Sequence, residues 1–188
     1  ASSDGVTLDS SGNVTFAGNA TCSGTATGFG VGGKLLQVVS VNKTDVASFT
    51  ASTGNWSDIT GLTASITPSA TGSKILVHYK TSYSGGSGQR GSFRLVRDST
   101  VIGQGDQTQS SINRASFGSI KSGGTSRTHN VSTMYLDSPS TTSSTTYKIQ
   151  GSAEDAAGTV YINVDAGQTN GTAYYTGASH ITLMEIGA

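Results

Sequence analysis

Few residues in this chain are of types that do acid–base or covalent chemistry, and their spacing works against it. Cleaving a glycosidic bond needs two carboxyl groups facing each other across a cleft. The only glutamates are Glu154 and Glu185. Glu154 and Asp155 are neighbours, so on a strand they point to opposite faces. Glu185 lies inside an apolar run, where a buried carboxylate is expected to pair with a base such as Lys34 or Lys74. His78, His129 and His180 are isolated and lack zinc-ligand spacing. Gly85-Gly86-Ser87-Gly88-Gln89 comes near a nucleophile elbow but lacks the closing glycine. Gly28-Phe29-Gly30-Val31-Gly32-Gly33 matches G-x-G-x-x-G, yet a dinucleotide site needs a helix N-terminus after it. A β-type run begins instead at Lys34, and a hinge fits better. Cys22 occupies an apolar slot and reads as a small core residue. A single cysteine excludes an intrachain disulfide framework. The expectation is a protein that is not an enzyme and holds no metal or cofactor.

The elements around these residues are strands. Charged residues are 12% of the 188, about half the usual share, with 26 glycines and 2 prolines. No sustained 3.6-residue pattern occurs, and the apolar residues cluster in short runs, so the chain reads as all-β. Eleven basic residues balance eleven acidic ones, which argues against nucleic-acid binding. No apolar run is long enough for a transmembrane helix. The chain opens at Ala1, which reads as processing or as an excerpt of something longer. Six of eight asparagines (13, 19, 42, 55, 130 and 170) stand in Asn-x-Ser/Thr. Abundant serine and threonine account for part of that, and no role is assigned to them.

Residues 1–32 read as a separate region. Val6-Thr7-Leu8, Val14-Thr15-Phe16 and Ala20-Thr21-Cys22 are apolar-Thr-apolar triplets separated by turn-like segments rich in Gly and Asn. Each buries too little to fold alone. Wound with other copies they would make a slender stalk; the alternative is a flexible linker.

Residues 33–188 read as a head domain of about eight strands. These fall at 34–41, 56–59, 62–67, 73–83, 92–97 with a continuation at 101–102, 131–136, 145–150, 159–164 and 180–186. That spacing fits a β-sandwich or jelly roll. The runs at 62–67, 92–97 and 159–164 are apolar on one face only. The first and last strands are apolar on both. Ile181 and Leu183 oppose Met184 and Ile186, and Leu35, Val39 and Val41 oppose Leu36 and Val38. Strand 73–83 shares this in part, with Ile75, Val77 and Tyr79 opposed by Leu76 and His78. A two-layer domain covers only one face of each. The first and last strands are therefore expected side by side, one face in the core and the other against further copies of the chain.

Several motifs resemble known proteins. The arrangement is similar to the trimeric jelly-roll heads of tumour-necrosis-factor-like ligands and complement-type globular heads. More closely, Gly33-Lys34-Leu35-Leu36-Gln37-Val38, Ile66-Thr67-Pro68, Ser73-Lys74-Ile75-Leu76-Val77, Tyr135-Leu136-Asp137-Ser138-Pro139 and the closing Ile181-Thr182-Leu183-Met184-Glu185-Ile186 resemble C-terminal heads of marine and cyanobacterial bacteriophage fibres. Ser11-Gly12-Asn13-Val14-Thr15-Phe16 is similar to phage fibre stalk segments. The resemblance implies a homotrimer located in the virion. Its inner sheet would place Leu36, Val38, Leu76, His78, His180, Met184 and Ile186 at the trimer interface, and the stalk would join other virion proteins.

Binding then falls to the loops, which vary without disturbing a core. Residues 84–90 offer Gln89 and Arg90. Residues 104–130, long for a structureless loop, offer Gln107, Asn113, Arg114 and Arg127. Residues 166–175 offer Gln168, Asn170, Tyr174 and Tyr175. Amide, guanidinium and aromatic groups suit a host-surface glycan or protein. The sequence thus implies a receptor-binding fibre head with no membrane insertion. The alternative is a decoration protein that packs on other particle proteins.

Overall fold

The computed structural model describes residues 6–8, 10–12, 14–16, 33–50, 52–86, 89–106, 109–110, 112–121, 127–153, 158–166 and 175–187. The chain divides into two units, Ala1–Gly32 and Gly33–Ala188. In the first, β1 (Val6–Leu8) and β2 (Val14–Phe16) pair antiparallel, with Val6 opposite Phe16 and Leu8 opposite Val14. Gly12 takes φ 84° in the connection, a conformation that suits glycine. The first two triplets therefore pair with each other within one chain. The third triplet, Cys22 and residues 28–32 of the glycine run lie outside the described residues.

The second unit carries β3 (Leu35–Lys43), β4 (Ala47–Thr50), β5 (Ser57–Ile66), β6 (Lys74–Gly85), β7 (Arg90–Arg97), β8 (Thr100–Ile102), β9 (Phe117–Lys121), β10 (His129–Asp137), β11 (Thr145–Ala153), β12 (Thr159–Ile162) and β13 (Ser179–Ile186). One sheet runs β10-β6-β13-β3; beyond β13, the far end of β6 pairs with β12, and β12 with β4. The other runs β5-β11-β7, with β9 and β8 sharing the outer edge of β7. Every pairing among the described strands is antiparallel. Successive long strands β3, β5, β6, β7, β10, β11 and β13 alternate between the two sheets, which makes the unit a jelly-roll β-sandwich. The first and last strands lie side by side, as their apolar residues imply: Leu183 faces Val39 and Met184 faces Val38.

Period-two alternation places the core. Ile75, Val77 and Tyr79 of β6, Ile181 and Leu183 of β13, Phe93 and Leu95 of β7, and Tyr147 and Ile149 of β11 are almost wholly removed from solvent. Rings fill the middle of one end, where Phe117 packs 4.0 Å from Tyr79 and 5.3 Å from Phe93 between ring centroids. Truncating one of these side chains costs about 2–5 kcal/mol by loss of transfer energy and cavity formation.

Four expectations change. The runs at 56–59 and 62–67 join in one strand, β5, because Gly61 (φ 86°) makes a bulge opposite β11 instead of a break. The polar stretch 104–130 is not one loop, since β9 lies within it and pairs Phe117 with Phe93. β4 was hidden by its brevity. Glu185, 1% exposed, pairs with neither Lys34 nor Lys74. Its Oε1 accepts the Ser69 backbone N–H at 2.7 Å and hydroxyl at 2.6 Å, and its Oε2 accepts Gln37 Nε2 at 2.6 Å. Burial alone would raise its pKa; the bonds from Ser69 and Gln37 outweigh this and hold it at about 2.

Candidate functional site

The outer side of the β10-β6-β13-β3 sheet brings together side chains that are distant in sequence. Cross-strand register aligns Val38, Met184, Leu76 and Leu136 in one row across four strands. The edge positions stand open, Val38 at 53% and Leu136 at 55% exposure, while Met184 and Leu76 are half-buried by their neighbours. Leu36 and Ile186 extend the row toward one end of the sheet. The next row holds Ser40, Thr182, His78 and Met134, the last 64% exposed. The following one holds Asn42, His180, Lys80 and Ser132. The face therefore grades from apolar to polar along the strands.

His78 and His180, isolated in the sequence, meet on this face. His180 Nε2 lies 3.4 Å from His78 Nδ1, and the ring centroids are 5.0 Å apart. His78 Nε2 is 3.2 Å from the Ser132 hydroxyl. Burial first, then the neighbouring His78 and Lys80, lowers the pKa of His180. His129 lies elsewhere, its ring 6.1 Å from that of Tyr83. All seven residues named for the interface share this one outer face.

The loop residues named for binding do not form one site. Asn113 lines a pocket of about 260 Å³ with Thr53, Gly54, Trp56, Ser92, Ala115 and Ser152. Arg127 and Tyr175 line a second, shallower one with Thr128 and Asp165. There Asp165, 2% exposed, accepts the Thr128 backbone N–H at 2.6 Å and also the Thr128 hydroxyl, and holds Arg127 Nη1 at 3.5 Å. Tyr175 stands 71% exposed. Arg114 braces its own segment, donating from Nε to the Gly105 carbonyl at 2.8 Å. Arg90 is exposed at the start of β7. Gln89 is a correction, because its amide turns inward against Gly158 and its Oε1 is enclosed. Gln107, Gln168, Asn170 and Tyr174 lie outside the described residues.

Met134 and Leu136 were missed, although alternation with buried Asp137 and half-buried Tyr135 and Thr133 marks them as outward-facing. Trp56 was also missed as a site residue. It is the only tryptophan, and the Arg94 guanidinium lies 4.5 Å over its ring. Arg94 is fixed in turn by Gln150, whose Oε1 accepts from Arg94 Nε at 2.7 Å.

No protein-family model and no curated protein matches the chain. Among solved structures, it is similar to a chain from the infectious bursal disease virus Gx strain, at 12% identity and a TM-score of 0.45. The match covers 89% of this chain and 47% of that one. A chain from the Gt strain of the same virus gives 11% identity and a TM-score of 0.44, covering 97% of this chain and 50% of that one. This chain thus spans about half the length of each, and a likeness at that level adds nothing to the fold read from the strand pairing.

Proposed function

We propose that this chain is a non-enzymatic structural protein of a virus particle, of the fibre type, whose heads associate in threes through the outer face of the first sheet. The observation that carries the reading is the apolar row of Val38, Met184, Leu76 and Leu136, which crosses four strands of one exterior with both of its ends more than half exposed. Monomeric proteins rarely leave such a contiguous patch in water. A closed ring of identical copies covers every instance of it with no other partner. The particle setting and the number three rest on the resemblance of the scaffold motifs to phage fibre heads. In this reading the loops at the surface take a host glycan or protein, and threefold presentation raises weak single-site affinity through effective concentration.

Light scattering on the full chain tests the association. One chain is 19.0 kDa, so three copies give 3 × 19.0 = 57.0 kDa. A mass of 57.0 kDa is the expected result. A mass of 19.0 kDa would overturn it and turn the apolar face over to another particle protein, the decoration role.

A further inference from the structure

We infer that the pocket beside Trp56 is a binding site for a neutral pyranose sugar. The inference rests on the receptor-binding part of the proposed function and names its ligand class and place. The pocket lies on the outer side of the second sheet. Ser92 and Ser152, directly opposite each other on β7 and β11, form its floor. Trp56, at the entry to β5, and Asn113, from the segment between β8 and β9, form walls, and Thr53 sits at the rim.

Four features point to a sugar ring. At about 260 Å³ the space falls just below the roughly 300–1,000 Å³ of pockets for drug-sized ligands, which suits a single ring. Its side-chain polar groups are the hydroxyls of Thr53, Ser92 and Ser152, the Asn113 amide and the Trp56 indole N–H. Of these, Ser152 already donates to the Ser52 carbonyl at 3.3 Å and keeps its acceptor capacity. Donors and acceptors together complement a ring that carries hydroxyls. The indole supplies a flat apolar wall for the C–H face of a pyranose. Arg94 stacks on that ring and is held by Gln150, so the indole is ordered before a ligand arrives, which lowers the entropic cost of binding.

None of the seven lining residues is acidic or basic, so the pocket matches the hydroxyls of a neutral ring without a counter-ion; the Arg94 guanidinium beside the indole is engaged by that ring and by Gln150. Backbone conformation keeps the opening clear: Gly54 has φ 81°, and a Cβ there would stand 3.2 Å from Asn113 Oδ1. Finally, the site and the apolar row lie on opposite exteriors of the sandwich, so association through the row leaves one open pocket on each copy.

Because Trp56 is the only tryptophan, its fluorescence reports the site directly. The full chain is titrated with glucose, galactose, mannose and N-acetylglucosamine in turn, with N-acetylneuraminic acid as the charged control. The expected result is a saturable emission change with at least one neutral sugar at millimolar concentration, at lower concentration than any change with the acid. Asn113→Ala, at an exposed loop position, is expected to weaken that response at least tenfold with an unchanged melting temperature. No saturable change with any neutral sugar overturns the inference, as does an equal response from Asn113→Ala. Solution mass on the same samples separates the two claims. Three copies with no sugar response overturn the pocket alone, and one copy with a response overturns the association alone.

Discussion

On the outer side of β5, β11 and β7, polar side chains find one another. Lys148 Nζ and Gln150 Nε2 both reach Asp58, at 2.8 and 2.6 Å, Arg94 reaches Gln150, and the hydroxyls of Ser65 and Thr146 meet at 2.8 Å. On the outer side of β3, β13, β6 and β10, the polar pairs Ser40 with Thr182 at 2.8 Å, His78 with Ser132 at 3.2 Å and His180 with His78 at 3.4 Å give way along the strands to Val38, Met184, Leu76 and Leu136. Both exteriors cover the same core and follow the same period-two rule. On the first, these polar side chains pair with one another and leave no apolar row across the strands. The second removes little apolar area from solvent until something covers it, and hydrophobic burial is proportional to that area. The proposed association rests on this difference.

Substitutions that exchange the character of the two faces test this. The largest effect is expected from Met184→Lys, which sets a charge in the middle of the apolar row. Solution mass should fall threefold, while the melting curve of the separated head stays cooperative, because Met184 faces away from the core that Leu183 fills. A three-copy mass for this variant would show that the row is not the contact.

Acid should act next, on the other side of the same strand. Glu185 has its pKa held at about 2 in the folded chain, against an ordinary 4.5. A group with a depressed folded pKa contributes stability that is complete above the ordinary value and is lost as pH falls through the folded one. Melting temperature should therefore drop as pH falls from about 4.5 to 2. Glu185→Leu should flatten that part of the profile; a profile unchanged by the substitution would place the acid sensitivity elsewhere.

The smallest effect is expected from Asp58→Ala on the finished face. It removes two exposed pairs worth about 0.2–1 kcal/mol each. The melting temperature should move slightly and the mass not at all.

The sequence made the pairing of the first and last strands legible, because Val38 alternates with Val39 and Val41, and Met184 and Ile186 with Ile181 and Leu183. Leu35, expected on the core face, is instead 56% exposed where a register shift sets it opposite Ile186. Period two is local, and two-sided apolar strands announce both a core and an apolar exterior. Glu185 was legible as buried but not as satisfied. Its partners are a turn backbone at Ser69 and the amide of Gln37, 148 residues away in sequence, and neutral donors leave no charge pattern to read. β9 escaped because Gly118 (φ 88°) interrupts its alternation and polar residues surround it. The Trp56 pocket escaped for a related reason. It assembles from four separated segments, and the described loop residues that looked like binders divide between two pockets, brace their own segment, stand exposed as Arg90 does or, as Gln89 does, turn inward.

The most direct test of the uncovered face uses the two methionines of the chain. Both Met134 and Met184 lie on it, and Met134 is 64% exposed in the single chain. Native protein is treated with dilute hydrogen peroxide, and sulfoxide is measured at each residue by peptide mass spectrometry. If the face is covered by further copies, both methionines oxidise slowly at high protein concentration and Met134 speeds up on dilution. If Met134 oxidises at the rate of a free methionine at every concentration, the face is open and self-association through it is wrong.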